Sequence, residues 1–243
     1  MKEKTIQELI KDNHSLAAAL HFLGIHFENY TEHTLEDICT ERGWNVDKIA
    51  MKIKELLTTN ATTLQFNSLP IDLLIEYLKH NHFIFIKQRL PFITELIKNF
   101  EGDDPAIKAE LKLVFPLFVE EFVEHIYEEE DTLFNYILLL NQADRNKAAL
   151  NKVQARMLEN SIKHFQSDHE LHDDPFKGLR KLTNNFDIDD RFDLKTKVAL
   201  SELKKLDNEL HYHAKVENDI LFPKAIELER KVLALLRSKI SMN

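Results

Sequence analysis

His125-Ile126-Tyr127-Glu128-Glu129-Glu130-Asp131-Thr132-Leu133-Phe134 and His213-Ala214-Lys215-Val216-Glu217-Asn218-Asp219-Ile220-Leu221-Phe222 are two copies of one pattern, H-x3-E-x-D-x-L-F. Both sit in long stretches with helical periodicity. Residues four apart on a helix stand one above the other, roughly 6 Å apart. Each copy therefore aims one imidazole and one carboxylate at the same point. Phe118 and Phe122 lead into His125, and Leu206 and Leu210 into His213, so both pairs continue an apolar stripe and face inward. A buried Glu needs a donor or a cation. Two inward His/Glu pairs in one bundle read as a dinuclear metal site.

The sequence around the repeat predicts helices. Four Gly and six Pro in 243 residues are few for a turn-rich β fold, and 44% apolar residues are ample for a core. Four long helical segments are expected near 71–100, 106–141, 148–184 and 193–238, each with one internal proline (Pro91, Pro116, Pro175, Pro223) that should kink or break it. Short connections between them imply an all-α, four-helix up-down-up-down bundle. Residues 1–57 carry four short amphipathic pieces, with Gly24 and Gly43 as stops and Thr34 and Asn45 as caps. The expected organisation is a small helical N-terminal domain (1–57), a polar linker (58–69) and the bundle (70–243).

In an up-down-up-down bundle the second and fourth helices run parallel, so the two copies point the same way. The first and third helices must then supply the remaining nitrogen donors. On the third, Leu158, Ile162, Phe165 and His169 share a stripe, which selects His169. On the first, His82 lies with Leu74, Ile75, Leu78, Phe85 and Ile86, whereas His80 lies on a mixed face. His82 is chosen and His80 is the competitor. The spacings agree: 44 residues separate His169 from His213 and 43 separate His82 from His125, against 45 for His80. The candidate metal ligands are His82, His125, Glu129, His169, His213 and Glu217. Nitrogen and oxygen donors without thiolate suit iron or manganese, and also zinc. Six protein ligands on two metals leave room for an oxo or hydroxo bridge and an added ligand.

The remaining histidines and acids have plainer readings. His14, His21 and His164 are expected in the core. His26, His33, His80, His172 and His211 are expected at the surface or beside the site. Glu128, Glu130 and Glu170 read as a solvated rim, while Asp131 and Asp219 read equally as hydrogen-bond partners of a ligand His or as helix-capping and surface ion-pair residues. Cys39 reads as a core residue. As the single cysteine it excludes an intramolecular disulfide, and it fits a reducing compartment. A net charge of −9 without a basic patch argues against nucleic acid. With no apolar signal core at the N-terminus and no membrane-length apolar run, a soluble cytoplasmic protein is expected.

On these residues the segment from about Pro70 to Leu228 resembles the hemerythrin-like cation-binding domain. The full chain resembles the iron–sulfur cluster repair di-iron proteins, through the ligand motifs, Leu90-Pro91, Leu221-Phe222-Pro223, Gly24-Ile25-His26-Phe27 and Thr34-Leu35-Glu36. The resemblance implies two iron ions bridged by Glu129 and Glu217. It also implies repair of iron–sulfur clusters damaged by nitric oxide or peroxide, with damaged iron–sulfur proteins or those small molecules as partners. The family commonly carries two adjacent cysteines where this chain has Glu28 and Asn29, which puts any cysteine-dependent role in doubt. The alternatives are a protein that binds or senses oxygen, nitric oxide or iron, and an oxidoreductase acting on nitric oxide or peroxide.

Overall fold

The computed structural model describes residues 4–58, 66–100, 105–145, 150–159, 161–171 and 174–240. The fold is all-α: a helical bundle preceded by a small helical N-terminal region. The N-terminal helices are α1 (Ile6–Asp12), α2 (Ser15–Phe22), α3 (Leu35–Glu41) and α4 (Val46–Thr58). Thr5 and Thr34 begin α1 and α3 with reciprocal capping boxes to Glu8 and Asp37, satisfying donors that each helix start leaves open. Gly24 and Gly43, at φ +74° and +67°, end α2 and α3 in the left-handed region. Asn45 caps α4 through the Lys48 amide at 3.0 Å. Cys39 is buried, and burial pushes its thiol pKa up. Residues 59–65 of the expected linker lie outside the described residues.

The first long segment comprises α5 (Ile71–Ile84), a π-helical turn (Phe85–Arg89) and α6 (Leu90–Lys98). The second comprises α7 (Pro105–Glu129), a π turn (Glu130–Phe134) and α8 (Asn135–Asp144). The third is divided into α9 (Leu150–Glu159), α10 (Ile162–Leu171) and α11 (Lys177–Leu182). The fourth comprises α12 (Leu194–Val216), a π turn (Glu217–Leu221) and α13 (Phe222–Ile240).

The prolines behave differently from one another. Pro175 falls in the turn before α11, whereas Pro116 sits inside an unbroken α7. Pro91 and Pro223 are each the second residue after a π turn. A helical proline clashes with the carbonyl four residues back. For these two that residue, Lys87 or Asp219, lies in the wider π coil, where the clash is relieved.

Packing divides the chain into two compact units. One holds the described parts of Met1–Leu64, Lys87–Pro116 and Lys177–Asp207. The other holds those of Gln65–Ile86, Leu117–Phe176 and Asn208–Asn243, and it carries the repeat. The core of this second unit is a continuous cluster. It includes Leu74, Ile75 and Leu78 of α5, Leu133, Phe134, Ile137 and Leu140 around α8, Ile162 of α10, and Leu221, Phe222, Ala225 and Val232 around α13. Each such buried large side chain contributes about 1.5–3 kcal/mol.

One polar clamp ties this core to α10. Glu229 of α13 accepts hydrogen bonds from the Tyr136 hydroxyl (2.6 Å) and from the Ile162 amide (3.1 Å), the first amide of α10. Glu229→Ala is expected to lower the unfolding free energy by about 1–3 kcal/mol, because both donors are left unmet. Glu229→Gln, which keeps an acceptor, should retain most of the stability. Denaturation midpoints test this, and an unchanged midpoint for Glu229→Ala would show that the clamp does not hold α10.

Candidate metal centre

Four elements of the second unit bring the candidate residues together. His82 lies in the last turn of α5 and is 2% exposed, whereas His80 is exposed. Glu129 ends α7, with His125 one turn before it. His213 lies in the last turn of α12 and Glu217 opens the π turn that follows. His169 lies in the last turn of α10.

The π turns account for the Leu-Phe pair that closes the motif. In an uninterrupted helix, the residue four after a buried Glu faces inward and the residue five after it turns away. Here both are buried in each copy: Leu133 and Phe134 after Glu129, and Leu221 and Phe222 after Glu217. The π turn absorbs the extra residue. The ligand stripe and the core stripe downstream then face the same interior. Such turns recur at functional sites.

One ligand atom each from His82, Glu129, His213 and Glu217 lie within 4.8 Å of one another, and all four residues are buried. His82 Nε2 is 3.0 Å from His213 Nε2 and 3.4 Å from Glu129 Oε2. Glu217 divides its oxygens. Oε1 is 2.9 Å from His213 Nε2, and Oε2 is 3.1 Å from His169 Nε2. The Oε1 contact is close but lacks hydrogen-bond alignment, so this oxygen stays unsatisfied, as does the buried Oε1 of Glu129. Donors that share an ion through bonds of 2.0–2.2 Å stand roughly 3–3.4 Å apart and point at the ion rather than at one another. The observed separations lie near that range, and the His82–His213 and His169–Glu217 pairs are also aligned as hydrogen bonds. His125 is exposed and stands outside the cluster of four, with its ring 6.0 Å from that of His169.

Aromatic rings close the site. His82 stacks on Phe134 at 5.6 Å, Phe85 meets the His213 ring edge-on at 5.6 Å, and Phe222 lies 5.5 Å from His169.

Burial and neighbouring charge push these groups in different directions. Burial pushes the Glu129 carboxyl well above its ordinary range, and the Glu217 carboxylate beside it pushes the same way. Burial also works to raise Glu217, but His213 and His169 outweigh it and hold Glu217 well below that range. Burial, with His213 alongside, pushes His82 down to about 3. The site therefore presents a neutral His82 imidazole, one firmly ionised carboxylate, and a second that ionises once positive charge arrives. That donor set fits a divalent or trivalent cation.

Glu130 is the residue that helical periodicity missed. Expected at a solvated rim, it is instead half-buried, and its Oε1 lies 2.9 Å from His82 Nδ1. It opens the π turn, so the wider coil brings its side chain to the back of His82. A carboxylate behind a ligand imidazole fixes the ring and its tautomer, leaving Nε2 for the ion. The two aspartates that the repeat suggested for this duty, Asp131 and Asp219, are exposed. His164, expected in the core, is exposed too. His172 lies outside the described residues, and so does the Glu170 side chain.

The chain belongs to the family of the hemerythrin HHE cation binding domain, which matches residues 73–225. This span includes all six candidate ligands. The chain is also 19% identical over 201 residues to proteins named iron-sulfur cluster repair protein YtfE from three Yersinia pseudotuberculosis strains (IP 31758, YPIII and IP32953). Each match covers 82% of this chain and 85% of the relative.

Glu130→Ala is expected to weaken metal binding roughly 10–100-fold by loosening His82. The number of ions bound at saturation should not change. Competition with a chelator measures the affinity. Equal affinity in both proteins would remove Glu130 from this role.

Proposed function

We propose that this chain is a cytoplasmic di-iron protein that helps restore iron–sulfur clusters damaged by nitric oxide or oxidative stress. The observation that carries the reading is the division of Glu217, one oxygen toward His213 and the other toward His169. A carboxylate placed in this way can bridge two ions. Glu129 matches it, with Oε2 toward His82 and a buried, unsatisfied Oε1 left over. His82 and His213 would hold one iron, His125 and His169 the other, with Glu129 and Glu217 between them. Zinc and manganese would suit the same donors; the relatives' name is what favours iron.

Iron held there would supply a redox-active centre able to take up a small molecule or to be given up. The protein's own groups set the terms. Glu130 keeps His82 Nδ1 occupied and its Nε2 available. Phe134 and Phe85, packed on His82 and His213, shield the buried half. His125, being exposed, makes the other half the side from which iron can leave or a small molecule can enter. The relatives' name supports cluster repair; the proposed route is iron donation or chemistry on nitric oxide or peroxide.

A second reading, binding or sensing of oxygen, nitric oxide or iron, is favoured by Glu28 and Asn29 where the resembled repair proteins have cysteines.

The test incubates iron-loaded protein with an iron–sulfur dehydratase inactivated by nitric oxide. Recovered dehydratase activity with matching loss of iron from this chain is the expected result. Glu217→Ala should bind little iron, restore nothing and unfold more readily, since metal binding and folding are coupled. Catalytic consumption of nitric oxide or peroxide without recovery would replace repair by an oxidoreductase role. Ligand binding alone would replace it by sensing.

A further inference from the structure

In the first compact unit, remote in sequence from the repeat, two imidazoles and a carboxylate converge. We propose that His21, His26 and Glu95 form a separate mononuclear site for a divalent transition-metal ion. His21 Nδ1 lies 3.7 Å from Glu95 Oε2, and His26 Nδ1 lies 3.5 Å from Glu95 Oε1. One ligand atom from each of the three falls within 4.8 Å of the others. Donors bound at 2.0–2.2 Å around a tetrahedral ion stand roughly 3.4 Å apart. The imidazole-to-carboxylate separations are near that value and too long for good hydrogen bonds. The three groups are therefore spaced for an ion among them.

Local chain geometry builds the arrangement. His21 is in the last turn of α2, which ends in a left-handed glycine turn. The Ile25 amide donates to the Leu20 carbonyl at 2.9 Å and the Gly24 amide to the His21 carbonyl at 2.8 Å. This pairing folds the chain back at Gly24, and Ile25 anchors it in the core. Arg42 Nη1 holds the Gly24 carbonyl at 2.9 Å. The next residue, His26, consequently faces His21, the two rings edge-to-face at 5.4 Å. Phe92 packs on the His21 ring at 4.5 Å, one turn before Glu95 on α6, and so fixes both residues together.

The chemistry of the set is specific. Both histidines present Nδ1 to the centre. Glu95 faces no lysine or arginine in an ion pair among the described residues, and Arg89 of the same segment pairs with Glu202 instead. Glu28 adds a further negative charge that acts on His21. Side-chain exposures of 22%, 48% and 39% for His21, His26 and Glu95 leave the ion in contact with water. Two imidazoles and one carboxylate, without thiolate, suit zinc, ferrous iron, cobalt or nickel, with positions left for water. A three-ligand, solvent-facing site would exchange its ion far faster than the buried centre.

Cobalt(II) alone, titrated into the metal-free full-length chain, tests this. Equilibrium dialysis counts the ions, and proton NMR reads hyperfine-shifted imidazole N–H signals from Nδ1-bound histidines. The expected result is one fewer cobalt per chain in His26→Ala and in Glu95→Gln than in wild type, with loss of those signals. Lys98→Ala should match wild type. Because the site is counted by difference, the result does not depend on how many ions the buried centre holds. His26 is half-exposed, so its variant should keep the wild-type far-ultraviolet circular dichroism. Equal cobalt counts in wild type and both variants would overturn the proposal and leave an ion-paired cluster only.

Discussion

Two carboxylates, Glu129 and Glu217, are buried side by side with imidazoles as their partners in the site. The effective cost of burying a charge is several kcal/mol, and two like charges together cost more. Without a cation the pair relaxes by keeping one carboxyl protonated, the direction in which Glu129 is driven. A divalent or trivalent ion reverses that balance, because both carboxylates and the imidazoles beside them then gain a common partner. Four helical segments each bring a candidate ligand to this place, and the core holds them there.

The helices change their coil at the site. Three of the long segments pass through a π turn beside the ligands, at Phe85–Arg89, Glu130–Phe134 and Glu217–Leu221. A straight helix could aim Glu129 inward or bury both Leu133 and Phe134, but not satisfy both in register. The extra residue in the wider turn reconciles the ligand stripe with the core stripe. It also admits Pro91 and Pro223 and brings Glu130 behind His82. The same device thus serves packing, backbone sterics and ligand orientation.

How much of this could be read in advance depended on which signal was periodic. The two His/Glu pairs, the long helices and the choice of His82 over His80 follow from 3.6-residue periodicity. The structure buries His82 and exposes His80. The caps at Thr5, Thr34 and Asn45 and the stops at Gly24 and Gly43 are local chemistry, and those at Thr34, Asn45, Gly24 and Gly43 were legible. Glu130 was not, because the π turn shifts it off the position a regular helix gives. Its one trace in the sequence is the Leu-Phe pair that a regular stripe cannot bury together. In the third segment the break at Pro175 was legible from the proline. The one between α9 and α10 was not, because the apolar stripe runs on past Ser161, where α10 starts afresh against Glu229 of another helix. His21 and His26 carry no joint signal in the sequence, since their meeting with Glu95 depends on a glycine turn and on a residue about seventy positions away.

The central claim is that Glu129 and Glu217 lie between two ions. Anomalous diffraction at the iron edge, from crystals of the iron-loaded full-length chain, tests it most directly. The account predicts two iron peaks flanking these carboxylates, one beside His82 and His213 and the other beside His125 and His169. A single peak within the cluster of His82, Glu129, His213 and Glu217, with no second ion beside His169, would contradict it.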